Sequence, residues 1–182
     1  MNLATRSDDD GKLARLLEID MTRPWALLLK QLGVAEATGR MSEFYGNVAI
    51  LSGLLAIFAA TEFIDPPVSS TDGMMASIVA MVGAISFSLF LGSVIECILM
   101  SNTVKKMSSD SAFITFLLGE QTSLALATYG FMGGCLFLTI QLAAITWITH
   151  TPTVAINATA MWGLLFVGLF MRFVRLSAYQ TA

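Results

Sequence analysis

The sequence predicts an all-α, polytopic membrane protein with four transmembrane helices. Of its 182 residues, 55% are hydrophobic and only 13% are charged, and the mean hydropathy is +0.73. This composition excludes an ordinary soluble domain. A helix needs roughly 20 consecutive apolar residues to cross the hydrocarbon core of a bilayer. Four segments meet that length, at about residues 46–64, 74–100, 121–149 and 159–176.

The region before span one, residues 1–45, is predicted to be cytoplasmic and partly helical. Its segments LARLLEIDM and WALLLKQL are typical of one or two amphipathic helices that lie on the membrane surface or pack against the bundle. The transmembrane domain then covers residues 46–177, and residues 178–182 form a short cytoplasmic tail.

Span one carries a single charge, Glu62, near its end. Counting back from Glu62 at helical spacing gives residues that share one face of an α-helix; they are Phe58, Leu55, Leu51 and Asn47. A carboxylate at the end of an apolar face predicts a pore with an acidic mouth and a hydrophobic section behind it. The alternative is a packing face that ends in an ordinary interfacial carboxylate.

The pore hypothesis requires several copies of the chain, because four helices have no room for a water-filled axis lined by one of them. One Glu62 per copy then forms a ring of carboxylates, and carboxylate oxygens are ligands that suit Ca²⁺. Asp65 follows three residues later, before Pro66 and Pro67. It adds to an acidic outer mouth that would concentrate cations.

The other predicted spans contain few ionisable or reactive side chains. Glu96 is the only charge of span two, and we interpret it as a partner for a neighbouring helix or an interfacial carboxylate rather than an ion site. Cys97 and Cys135 are expected to be small buried residues. The segment 150–158 is predicted to be an outside loop that holds a solvated His150 and a glycosylation sequon at Asn157.

The basic residues fix the expected orientation. All ten Lys and Arg fall on one side of a four-span chain, so the positive-inside rule places both termini in the cytoplasm. The net charge of −3 gives no indication of a basic surface that would bind nucleic acid. The sequence holds no nucleophilic triad or HExxH motif, so an enzyme is not expected. A scaffold subunit of a larger membrane complex is the alternative to a channel.

All four spans carry motifs that resemble those of the Orai family, the plasma-membrane calcium channels of store-operated entry. Span one reads LSGLLAIFAATEFIDPP, span two contains SLFLGSVIECILM, span three contains LALATYGFMGGCLFL, and span four contains WGLLFVGLFMRFVRL. These motifs occur in the family's order, and the resemblance covers about residues 47 to 177.

The resemblance implies a homo-hexamer in the plasma membrane with span one innermost. By position, Glu62 is the selectivity filter, Asp65 is an outer acidic site, and Phe58, Leu55 and Leu51 form the hydrophobic section. Asn47 falls at the inner pore, where the family has a basic residue. Between Gly53 and Glu62 the chain has one residue more than the family, so Leu54 is an alternative to Leu55 on the pore face.

The chain departs from the family at three further positions. Ser88 replaces a histidine of span two, Gln141 a glutamate of span three, and Met161 a proline of span four. Residues 178–182 contain no counterpart of the cytoplasmic extension on which the family's calcium sensor docks. The resemblance therefore predicts Ca²⁺ permeation and leaves activation by a sensor protein open.

Overall fold

The structure is a computed structural model that describes residues 3–19, 21–64 and 73–179, with side chains omitted at 3–9, 62, 63, 165, 166, 169, 170 and 172–179. Within these ranges the chain is built from helices alone. They are α1 (Leu3–Glu18), α2 (Arg23–Leu32), α3 (Val34–Ile64), α4 (Gly73–Val104), α5 (Asp110–Gly119), α6 (Gln121–Thr149) and α7 (Pro152–Tyr179). The predicted all-helical architecture is confirmed.

Among the described residues, three helices are long and apolar enough to cross a membrane. They are α4, α6 and the Val34–Thr61 part of α3. Helix α6 coincides with predicted span three, and α4 extends predicted span two by a few residues at its end. The chain is thus a multi-pass membrane protein by length and composition.

Helix α3 begins much earlier than the apolar segment that predicted span one. It is continuous from Val34, whereas the sequence placed a boundary between residues 45 and 46. The charged side chains of Arg40 and Glu43 limit how deep this part lies in a membrane, but they do not interrupt a helix, and no proline occurs between Pro24 and Pro66. Residues 34–45, which were predicted to precede span one, therefore belong to the same helix as span one.

The predicted loop at 150–158 is wrong in its length. Helix α6 ends at Thr149 and α7 begins at Pro152, so His150 and Thr151 alone form the turn. Proline favours the first turn of a helix because its fixed φ suits the helix and its missing N–H has no intrahelical partner there. Asn157 consequently lies on α7, with an exposed side chain, rather than in a loop.

Helices α1, α2 and α5 pack together at one end of the bundle, against the first turns of α3, and we call them the N-terminal layer. Leu16, Leu29, Met41, Phe113 and Leu117 are among the buried residues of its core. Helix α5 was not predicted from the sequence. Its start is marked by Ser109, whose hydroxyl accepts a hydrogen bond from the Ala112 amide at 3.3 Å, a common N-cap arrangement.

The long helices are arranged around α4, which packs against α3 on one side and α6 on the other, while α7 packs on α6. Gly33, with φ of +81°, ends α2 and lets α3 start at the next residue in a new direction. This arrangement leaves one side of α3 without a packing partner among the residues that the structure describes.

Candidate functional site: the exposed face of α3

Helix α3 has two opposite faces that differ in side-chain size. The face packed on α4 carries small residues, namely Ala49, Ser52, Ala56 and Ala59, which are all buried. Small side chains allow two helices to approach closely in lipid, where van der Waals packing must drive association. The most exposed large apolar side chains of this part of α3, which include Leu51, Leu54 and Phe58, lie on the other side.

Serine hydroxyl groups hold the small-residue face in place. Ser52 and Ser93 share a hydrogen bond with an Oγ–Oγ distance of 3.2 Å, and Ser93 also donates to the Ala127 carbonyl of α6 at 2.8 Å. Ser42 and Ser101 share another bond, at 2.9 Å, nearer the N-terminal layer. These buried polar contacts fix the rotation of α3 about its own axis, because turning it would leave hydroxyl groups unpaired.

The exposed face of α3 contains three of the four predicted pore residues whose side chains the structure describes. Leu51 is 52% exposed, Phe58 is 65% exposed, and Asn47 is also exposed. These residues follow one another at helical spacing, so their side chains form a continuous stripe.

Leu54, rather than Leu55, completes this stripe. The Leu54 side chain is 53% exposed. Leu55 is partly buried and packs against the small cluster that contains Ala56, Phe90 and Leu138. Neighbouring residues on a helix point about 100° apart, so the two leucines cannot share one face. Of the two alternatives left open by the sequence, the geometry favours Leu54.

The residue predicted to be the selectivity filter, Glu62, belongs to the C-terminal end of α3. Helix α3 reaches Ile64, so position 62 lies in its last turn. The Glu62 side chain and the whole of Asp65 lie outside the described residues, and their role as ion ligands stays a prediction. No group of three or more His, Cys, Asp or Glu with metal-binding geometry occurs in the part of the chain that the structure describes.

Toward the N-terminal layer, the exposed stripe of α3 becomes charged. Glu43 lies one turn before Asn47, and its side chain is exposed. One turn further, the Arg40 Nε donates to Glu36 Oε1 at 2.7 Å, and both side chains are about half exposed. The stripe thus runs from charged residues through Asn47 to large apolar residues.

Two polar residues noted in the sequence lie away from this stripe. Glu96 is half-buried on α4 and makes no ion pair within the described ranges. Gln141 on α6 is fully buried, and its side-chain oxygen and nitrogen have no hydrogen-bond partner among the described residues. A buried amide without partners is unfavourable by roughly 1–3 kcal/mol, so Gln141 is a point of weakness in the helix packing.

The serines that join the helices were not singled out from the sequence. On α4 the spacing of Ser86, Ser93 and Ser101, close to two turns each, places them on one face, and this was the available signal. Their partners depend on how α3 and α6 are aligned with α4, which the sequence of one helix does not contain.

Comparisons with models of protein families, with curated proteins and with solved structures found no match to this chain. The observations that bear on function are therefore the exposed face of α3 and the resemblance of the sequence motifs.

Proposed function

We propose that this chain is the subunit of a calcium-selective channel of the plasma membrane, in which several copies surround a pore lined by the exposed face of α3. The observation that carries the proposal is the exposed stripe of Asn47, Leu51, Leu54 and Phe58, which leads toward position 62. The resemblance to Orai supports six copies. The helix α7 supplies the fourth span, with both termini on the cytoplasmic side.

The chemistry of the pore follows from the order of these residues. A ring of Glu62 carboxylates at one height repels itself, and a bound Ca²⁺ relieves that repulsion better than a monovalent ion. Below it, the apolar side chains form a narrow passage that loses its water and so stops ions without a plug. Ca²⁺ is the permeant ion, and no organic cofactor is required.

A scaffold subunit is the competing proposal, and one observation favours it. Large apolar side chains are exposed on α4 and α6 as well, for example Ile95 and Tyr129. An exposed apolar face is what any lipid-facing helix shows. The two proposals differ in what covers the exposed face of α3, which is other copies of α3 in a channel and lipid in a scaffold.

Cysteine crosslinking in membranes distinguishes these two arrangements. In the channel, Phe58→Cys crosslinks one copy of α3 to another under oxidising conditions. Ile95→Cys, on the exposed face of α4, is the matched control and is not expected to crosslink in pairs. The wild type controls for Cys97 and Cys135. If Phe58→Cys forms no more dimers than Ile95→Cys, the pore arrangement is wrong.

Current recordings test selectivity. In planar bilayers, the purified protein or its Phe58→Ser variant, which is expected to be open, should carry Ca²⁺ in preference to Na⁺. Glu62→Gln removes a charge at nearly constant size and should abolish that preference, whereas Glu120→Gln, an exposed carboxylate at the start of α6, should retain it. Unchanged selectivity in Glu62→Gln would rule out the filter, and absence of current in both starting proteins would rule out the channel.

A further inference from the structure

The stripe that lines the proposed pore continues past Asn47 toward the N-terminal layer and reaches Glu43. The two residues are one turn apart, so their side chains point within about 40° of each other around the helix axis. Both are exposed. The face that carries Leu51 and Phe58 therefore also carries a carboxylate at its opposite end from Glu62.

Among the charged residues of α3 whose side chains the structure describes, Glu43 is the one without an ion pair. The next charged residue, Arg40, is engaged by Glu36, with its Nε 2.7 Å from Oε1. Glu43 has no ion pair within the described residues. Glu36, Arg40 and Glu43 together carry one net negative charge per copy. The unpaired carboxylate is that of Glu43, the closest of the three to Asn47.

We propose that Glu43 determines cation conductance at the pore end nearest the N-terminal layer. This inference rests on the proposed channel. One carboxylate per copy around a common axis produces a negative potential that raises the local concentration of cations and lowers that of anions. Asn47, next along the stripe, adds a neutral polar ring. Ions leaving the apolar section thus meet an attractive potential.

A long-range effect of this kind has a specific signature, which is its dependence on salt. The Debye length is about 10 Å at 0.1 M ionic strength and about 3 Å at 1 M. A carboxylate that acts through its potential influences conductance at low salt and loses that influence at high salt. It also acts on one direction of current more than on the other, because it stands at one end of the pore.

The experiment measures single-channel currents of the Phe58→Ser background in planar bilayers at about 0.1 M and about 1 M salt. Glu43→Gln is expected to lower the cation current entering from the N-terminal end by at least about twofold at low salt, with little change at high salt. Glu43→Asp, which retains the charge, should conduct like the background. Glu120→Gln removes a charge at the same end of the bundle but away from the stripe, so this variant should also conduct like the Phe58→Ser background.

The outcomes separate this inference from the channel proposal. If the background conducts and loses its selectivity in Glu62→Gln, but Glu43→Gln conducts as the background does at both salt concentrations, the role of Glu43 is refuted and the channel stands. A reduction that Glu120→Gln shares, or that persists at high salt, also refutes it. A background without current refutes both.

Discussion

The hydroxyl oxygens of Ser52 and Ser93 lie 3.2 Å apart and share a hydrogen bond between α3 and α4. Ser93 in turn donates to the Ala127 carbonyl at 2.8 Å, so one serine joins three helices. The exposed face of α3 points away from α4 because this contact and the small residues around it hold the opposite face inward.

Replacing Ser93 with alanine should destabilise the bundle. The change removes the hydroxyl contacts that Ser93 makes with α3 and α6 and leaves Ser52 and the Ala127 carbonyl without this partner. Side-chain hydrogen bonds between membrane helices contribute about 0.6 kcal/mol on average and up to about 1.7, so the free energy of unfolding should fall by about 1 kcal/mol. Denaturant titration in detergent micelles, followed by helix content, measures this difference.

The matched control for that change is Ser88→Ala on the same helix. Ser88 is exposed, and its hydroxyl donates to the Ala84 carbonyl of its own helix at 2.8 Å. Its loss leaves the contacts between helices intact and should leave stability nearly unchanged. Equal stability of the two variants would contradict the assigned role of Ser93.

The close approach of Gly134 to the Phe90 ring leads to a second prediction, which concerns the packing of α6 on α4. A Cβ atom on Gly134 would lie 2.7 Å from two atoms of the Phe90 ring, closer than side-chain atoms approach. Gly134→Ala should therefore push α6 away from α4 and lower the unfolding free energy by about 1–3 kcal/mol. Thermal unfolding in micelles measures this loss.

Two further variants separate crowding from the general effect of adding a methyl group. A Cβ on Gly92 of α4 meets nothing within 4 Å, so Gly92→Ala should be neutral or slightly stabilising, since alanine favours helix. Phe90→Leu should make Gly134→Ala less harmful than in the wild type. If Gly134→Ala is harmless alone, the close approach of these helices is wrong.

For Gln141 we expect a substitution to maintain or raise stability rather than lower it. Its fully buried amide has no partner among the described residues, so methionine, of similar length and apolar, should be tolerated there. Removing an unsatisfied amide recovers roughly 1 kcal/mol or more of unfolding free energy. Gln141→Met should unfold at the same or a higher temperature than the wild type. A clear loss of stability that occurs only in the oligomer would show that a neighbouring copy provides the missing partner.

The sequence predicted the helical fold because apolar length and charge placement are properties of each segment by itself. The ends of α6 follow from such local features, whereas α5 was missed because its Asp110–Gly119 segment is too short to register as a span. The start of α3 was also missed. Charge defines where a span leaves the membrane, but the helix itself continues until Gly33 interrupts it.

The candidate site was predictable only in part. Spacing alone placed Asn47, Leu51 and Phe58 on one face, and the structure exposes all three. Spacing also placed Leu55 on that face, and Leu54 was an alternative only through the register of the family resemblance. The two differ by one residue, which rotates the side chain by about 100°. That choice depends on which side of α3 packs against α4, and this is fixed by contacts such as Ser52–Ser93 that join distant parts of the chain.

The choice between these leucines leads to the last prediction, which concerns the gate of the proposed channel. Leu51, Leu54 and Phe58 would form three apolar layers over roughly 10 Å of helix, a passage that excludes water when closed. Serine at Leu54 or Phe58 should hydrate the passage and produce current without a stimulus. Cell-surface recordings, with expression measured in parallel, test both variants.

Leu55→Ser is the decisive companion because it differs by one position along the same helix. Leu55 packs against the buried cluster that contains Phe90 and Leu138, so its replacement should weaken the bundle and lower expression without opening the pore. Current from Leu54→Ser and Phe58→Ser with none from Leu55→Ser would support the orientation of α3 described above. Current from Leu55→Ser alone would mean that α3 is rotated in the assembled channel, because only a rotation of that size brings Leu55 to the axis. Silence of all three variants at normal surface expression would place the hydrophobic gate outside α3.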